Sequence, residues 1–238
     1  MSNEMPNAPM TPAGTTSFFQ TWVPALTKPN EQTYASIAAS PNAKASTAYL
    51  WVFISSLVAS LISLIAQGAL IRERLAASGF DSGRLGNGVG GILITLLCGA
   101  PIIAVIGTAF FAIWVAIIQW IAKMFGGKGT NDQLAYAFAA IGVPYSLISS
   151  IFILLSAIPF VGLCFRIILG LAGLYILVLQ IMAVKGVNQF GWGPAVGSLF
   201  IPGLVVGILC CCLVAILGAA LGPVIGNVFS TINQSLNP

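Results

Sequence analysis

Residues 49–70 read YLWVFISSLVASLISLIAQGAL, 22 positions without a charge. At 1.5 Å per residue, a helix of that length reaches about 33 Å, enough to cross a hydrocarbon core of about 30 Å. Four more apolar stretches follow: Val89 to Ala122, Leu134 to Ile158, Phe160 to Val184 and Gly197 to Leu221. The first of these has 34 residues, too long for one straight crossing and too short for two. One tilted or kinked helix fits it, with Gly99-Ala100-Pro101 near its start. The expected fold is all-α: a polytopic integral membrane protein with about five transmembrane helices, occupying residues 49–222. Residues 1–48 read as a disordered or interfacial amino-terminal segment and 223–238 as a short tail.

Composition agrees with that reading. The chain is 58% hydrophobic and 6% charged, with a mean hydropathy of +1.00. Soluble domains carry roughly a quarter charged residues, so this chain lacks the charge to cover a water-facing surface. Its nine basic residues are scattered, which argues against nucleic acid as a partner.

The amino-terminal segment divides in two. Met1 to Thr16 is rich in Pro, Thr, Asn and Ala and has no periodicity. Phe18, Phe19 and Trp22 then form an aromatic cluster suited to a membrane surface. Further on, Asn30 is placed to cap a short helix, with Glu31 in its first turn. Tyr34, Ile37 and Ala38 share one face of that helix, and Pro41 stops it. The expectation is a short amphipathic helix at the interface; a plain connector is the alternative.

Two polar loops separate later spans: Lys123 to Gln133, and Lys185 to Pro194. With five spans, Lys28, Lys44, Lys123, Lys128 and Lys185 fall on the amino-terminal side, and Arg72, Arg74 and Arg84 on the other. Five against three weakly favours a cytoplasmic amino terminus, although Arg72 and Arg74 stand close to the first span.

Catalysis finds little to work with. The sequence has no histidine, and Glu4, Glu31, Glu73, Asp81 and Asp132 all lie outside the spans. Proton relays, cation sites and intramembrane proteolysis draw on carboxylates or histidines within the membrane. No catalytic residue, cofactor site or metal site is assigned. Cys98, Cys164 and Cys210 to Cys212 lie in apolar stretches and read as packing residues. Gly126-Gly127-Lys128-Gly129-Thr130 lacks the spacing of a phosphate loop and reads as a solvated turn.

A few residues within the spans stand out. Arg166 is the one charge there, about 10 Å in, either a functional charge or a side chain that snorkels to the interface. Pro144 marks a kink, with Ser146, Ser149 and Ser150 close by to satisfy freed backbone groups. Gly203/Gly207 and Gly218/Gly222 repeat the G-x-x-x-G spacing that lets helix backbones approach closely. They are assigned to helix packing within the chain or to a partner or second copy.

The chain resembles the Yip family, multi-span proteins named for interaction with Ypt/Rab GTPases, and more narrowly its prokaryotic members. The resemblance covers about residues 20–222. It is carried by Lys28-Pro29-Asn30 through Ser40-Pro41-Asn42, by Phe125-Gly126-Gly127-Lys128-Gly129 with Leu134-Ala135-Tyr136-Ala137-Phe138, by Pro144, and by Lys185-Gly186-Val187-Asn188. It implies a five-span helical domain with a cytosolic amino terminus, and in eukaryotic relatives roles in vesicle traffic and Rab recruitment. The Asp-Leu-x-Gly-Pro motif that precedes the first span in many eukaryotic members is absent here, and no GTPase-binding residue carries over.

The resulting expectation is a non-enzymatic membrane protein that organises, scaffolds or recruits partners through helix packing, in contact with lipid. A prokaryotic plasma membrane is its expected location. A small-solute transporter or channel, built around Pro144 and Arg166, is the alternative.

Overall fold

Leu134 to Ile141 are eight consecutive residues, and every one is buried. A helix covered on all sides must sit at the centre of its bundle, and the rest of the fold is arranged around this one. A computed structural model of the chain describes residues 18–77, 95–156 and 162–236. In chain order its helices are α1 (Phe18–Thr27), α2 (Glu31–Ala38), α3 (Ala45–Ala77), α4 (Ala100–Met124), α5 (Asn131–Leu155), α6 (Gly162–Asn188) and α7 (Trp192–Leu236). Among the described residues there is no strand. Five segments are long and apolar enough to cross a membrane: Ala45–Leu64, Leu97–Met124, Asn131–Leu155, Gly162–Asn188 and Trp192–Ala219. The protein is therefore an all-α polytopic membrane protein.

Helix α5 is the central one. It packs on α3, α4 and α6, and α1 and α2 cover what those leave open. Its start is fixed locally: the Thr130 hydroxyl accepts from Gln133 N and Gln133 Oε1 accepts from Thr130 N, a reciprocal capping box. Alanines 135, 137, 139 and 140 make it thin enough to be surrounded. Much of the outer surface is apolar, with Ile102, Phe110, Leu171 and Leu204 exposed. Such a surface suits hydrocarbon, not water.

The structure moves several expected boundaries. The long second stretch resolves into a π-helical turn, Thr95–Gly99, running into α4 with Pro101 in its first turn. Proline is tolerated there because the first-turn amides have no helical partner. Lys185 to Asn188 belong to α6, and Trp192 to Pro194 to α7, so the loop shrinks to Gln189–Gly191. Helix α6 continues because Asn188 donates through Nδ2 to Val184 O, and it stops where Gln189 turns to φ 55°. Helix α7 runs to Leu236. The tail at 1–16, the arginine at 84 and Pro159, where the sequence suggests a tight turn, lie outside the described residues.

Pro144 does not end α5. The nearby serines bond elsewhere than expected: Ser146, Ser149 and Ser150 donate to Val143, Ser146 and Leu147 carbonyls. None returns to the Ala140 carbonyl, the group whose partner N–H is missing at Pro144.

The aromatic residues of helix α1 pack in part on the bundle, while Phe18 and Phe19 stay exposed. Trp22 and Phe18 lie against Trp51 of α3, at ring centroid distances of 5.7 and 5.5 Å. At its other end every late carbonyl from Val23 to Leu26 is used. Val23 O accepts from Thr27 Oγ1, Pro24 O from Lys28 N, Ala25 O from Tyr34 Oη and Leu26 O from Tyr175 Oη. Tyr175 stands ten residues before Lys185 on α6, about 15 Å down the helix. The last carbonyls of a helix have no partner within it, and here two of them take tyrosine hydroxyls from α2 and α6.

Candidate functional site

One end of the bundle collects the start of α2, the α2–α3 turn, the α4–α5 loop and the end of α6. Three of the stretches that carry the family resemblance meet there. A pair of amides holds them together. Gln119 of α4 donates through Nε2 to Asn188 Oδ1 at 2.9 Å and to Gly129 O at 2.7 Å. Asn188 returns a bond from Nδ2 to Gln119 Oε1 at 3.3 Å. Both residues are buried, and together they satisfy each other in a place without water.

The α4–α5 loop folds onto this pair. Lys128 N donates to Asn188 O and Gly127 N to Ala122 O. A Cβ at Gly127 would stand 2.5 Å from Asn188 Oδ1 and 2.9 Å from Ala122 O, and one at Gly129 would stand 2.8 Å from Val187 O. Only glycine lets the loop lie this close. Gly126 turns at φ 86°, a conformation that glycine adopts without strain. Lys128 is left exposed at the loop's crest.

On the other side of α6, Gly186 admits α2. A Cβ there would approach Glu31 O to 2.5 Å. The expected cap and face are found in α2: Asn30 Oδ1 accepts from Thr33 N at 2.7 Å, and Tyr34, Ile37 and Ala38 are buried. That face packs against protein, chiefly α6 and α5. Glu31 pairs with Lys185, whose ammonium also lies 4.7 Å from the Trp192 ring centroid. Glu31 is 52% exposed, so this pair orients α2 more than it stabilises it. Lys28, Lys44, Lys123 and Lys128 occupy the same end, with Glu31 and Asp132.

The residues singled out from sequence are spread elsewhere. Gly203 lies near α4, where a Cβ would stand 3.8 Å from Trp114 Cη2. At Gly207, Gly218 and Gly222 a Cβ would meet nothing within 4 Å. Arg166 is exposed in the second turn of α6, and no ion pair includes it among the described residues. Pro144 is buried in α5, more than two turns from Phe152, which packs on the neighbouring Phe165. Pro144 and Arg166 therefore stand at different levels of the bundle, about two helical turns apart. All five cysteines are exposed and free.

Sequence reasoning passed over Gln119, Asn188, Gly127, Gly129 and Gly186 as a set. Gly127, Gly129, Gly186 and Asn188 stood only in stretches that carry the resemblance, and the signal left unused was Gln119, a carboxamide inside an apolar stretch. Its partner lies 69 positions away and cannot be named from local sequence.

No curated protein and no solved structure matches this chain. The model of the Yip1 domain family matches residues 25–230, a range that takes in α2, the amide pair, the glycine loop and all five spans. The chain belongs to the Yip1 domain family.

Proposed function

We propose that this protein is a non-enzymatic organiser of the membrane that scaffolds or recruits partners by packing helices within the bilayer. The observation that supports this reading is the state of α7. Every residue from Gly203 to Ala219 is exposed, and the backbone at Gly207 and Gly218 is open to approach. A glycine-notched helix whose Gly207 and Gly218 meet no neighbour among the described residues suits a second copy or another membrane protein. The lysine-bearing end is proposed to face the cytoplasm, which places the amino terminus there, and a prokaryotic plasma membrane is the proposed location.

Crosslinking of the intact protein in its membrane, followed by identification of what is captured, tests the reading. Gly207→Leu, alone and with Gly203→Leu, is expected to lower capture of the partner or of a second copy while insertion survives. Unchanged association removes the reading. Capture of lipid alone moves the weight to solute transport, and uptake assays then follow.

A further inference from the structure

Two adjoining cavities, about 350 and 170 Å³, follow the seam between α2 and α6 and share Ala35, Gly186 and Gln189. Together they form a trough at the lysine-bearing end of the bundle. The floor is small and apolar because α2 presents Ala35 and Ala38 to Gly186 and Val187. The rim is polar and carries Gln32, Gln133, Gln189 and Lys128.

Several observations at this trough point the same way. Lys128 is exposed and has no ion pair among the described residues. The acid on the rim, Glu31, is already paired with Lys185. The free charge facing the trough is therefore positive. Gln189 holds φ 55°, a backbone region that non-glycine residues rarely occupy. Its side chain is exposed, so packing does not account for a glutamine there in place of glycine. The backbone of the loop bearing Lys128 is held by the Gln119–Asn188 clasp through Gly129 O and by Lys128 N on Asn188 O, which fixes where the lysine's stem begins.

The chemistry of the rim selects the occupant. A carboxamide carries both donors and acceptors. Gln133 has committed Oε1 to Thr130 N and keeps its NH₂. Gln32 and Gln189 offer both kinds of group. Peptide bonds also present a donor and an acceptor, whereas a lipid phosphate presents acceptors alone. Helix α2, eight residues long, runs about 12 Å, the length of roughly four extended residues.

We propose that this trough binds an extended segment of a partner protein that carries a carboxylate. Lys128 takes the carboxylate, and Gln32, Gln133 and Gln189 bond the segment's main chain. This surface is separate from α7, so it stands or falls independently of association within the bilayer.

The full-length protein in phosphatidylcholine nanodiscs is screened against an immobilised library of random octapeptides. Peptides with Asp or Glu at a recurring position are expected to be enriched. Their affinity falls about tenfold in Lys128→Ala, the loss of one charged hydrogen bond. It is unchanged in Lys123→Ala, an exposed lysine at the same end that does not line the trough. Gln189→Gly, which keeps the turn and removes the amide, weakens binding without lowering thermal stability. Gly207→Leu leaves peptide binding intact, which separates this site from the α7 contact. No acidic enrichment, or equal losses in Lys123→Ala and Lys128→Ala, overturns the proposal. In a second set of nanodiscs that also contain phosphatidylglycerol, Lys128-dependent retention of that lipid with no selected peptide also overturns it and assigns the trough to a lipid headgroup.

Discussion

Gln119 and Asn188 exchange carboxamide hydrogen bonds across the bundle, Nε2 to Oδ1 at 2.9 Å and Nδ2 to Oε1 at 3.3 Å. The pair joins α4 to α6 and fixes the loop between α4 and α5 through Gly129 O. Buried amides of this kind are costly when half satisfied and inexpensive when complete.

That asymmetry gives the first prediction. Gln119→Leu or Asn188→Leu strands one buried carboxamide and is expected to cost about 1–3 kcal/mol. The double variant loses both polar groups and is expected to cost less than the two single losses added together. Thermal unfolding in detergent, run as a double-mutant cycle, reads the coupling. Additive losses would show that the bonds contribute nothing as a pair.

Glycine substitutions should separate by place. Gly127→Ala and Gly129→Ala drive a Cβ against backbone carbonyl oxygen at 2.9 and 2.8 Å, so both are expected to destabilise the protein and loosen the Lys128 loop. Gly142→Ala, inside α5 with nothing within 4 Å, should instead stabilise by up to about 1 kcal/mol through helix propensity. Hydrogen exchange in 125–130 and thermal midpoints report both. A loop variant as stable as wild type would contradict the close packing described here.

Gly186 answers for α2. A Cβ at this position would meet Glu31 O at 2.5 Å, a backbone atom that yields only if α2 moves. Gly186→Ala is expected to release α2 from α6, raising exchange across 31–38 while the spans stay protected. Gly170, on the same helix with open space around its Cα, is the control. If Gly170→Ala and Gly186→Ala behave alike, α2 is not seated on Gly186.

What could be read from the sequence follows the range of each force. The spans announce themselves because hydrocarbon demands about 20 apolar residues in a row. Helix α2 was legible because its cap, first-turn acid and buried face lie within nine residues, Asn30 to Ala38. The end of α6 was not, since Lys185 to Asn188 looks polar enough for a loop. It stays helical because Asn188 is satisfied by a residue on α4, far away in sequence. Helix α1 escaped for the same reason: ten residues containing Pro24 give a weak local signal, and the tyrosines that hold its end come from α2 and α6. Three soft motifs that share no local pattern proved to be one place.

The hold on α1 yields the last prediction. Burial pushes the Tyr34 phenol well above its ordinary value of about 10, and the nearby Tyr175 phenol adds to the shift. The folded phenol therefore keeps its proton where an unfolded chain would lose it. This contribution to stability is whole below pH ~10 and is lost progressively as pH rises beyond it. In an absorbance titration of tyrosinate, the difference between wild type and Tyr34→Phe should show no ionisation near pH ~10 while the fold persists. The same variant leaves Ala25 O without its donor at 2.7 Å. It is expected to cost about 1–3 kcal/mol and to speed hydrogen exchange across Phe18–Thr27, with Tyr175→Phe doing likewise through Leu26. Exchange in α1 that neither variant alters would mean that the two tyrosines do not hold the helix end.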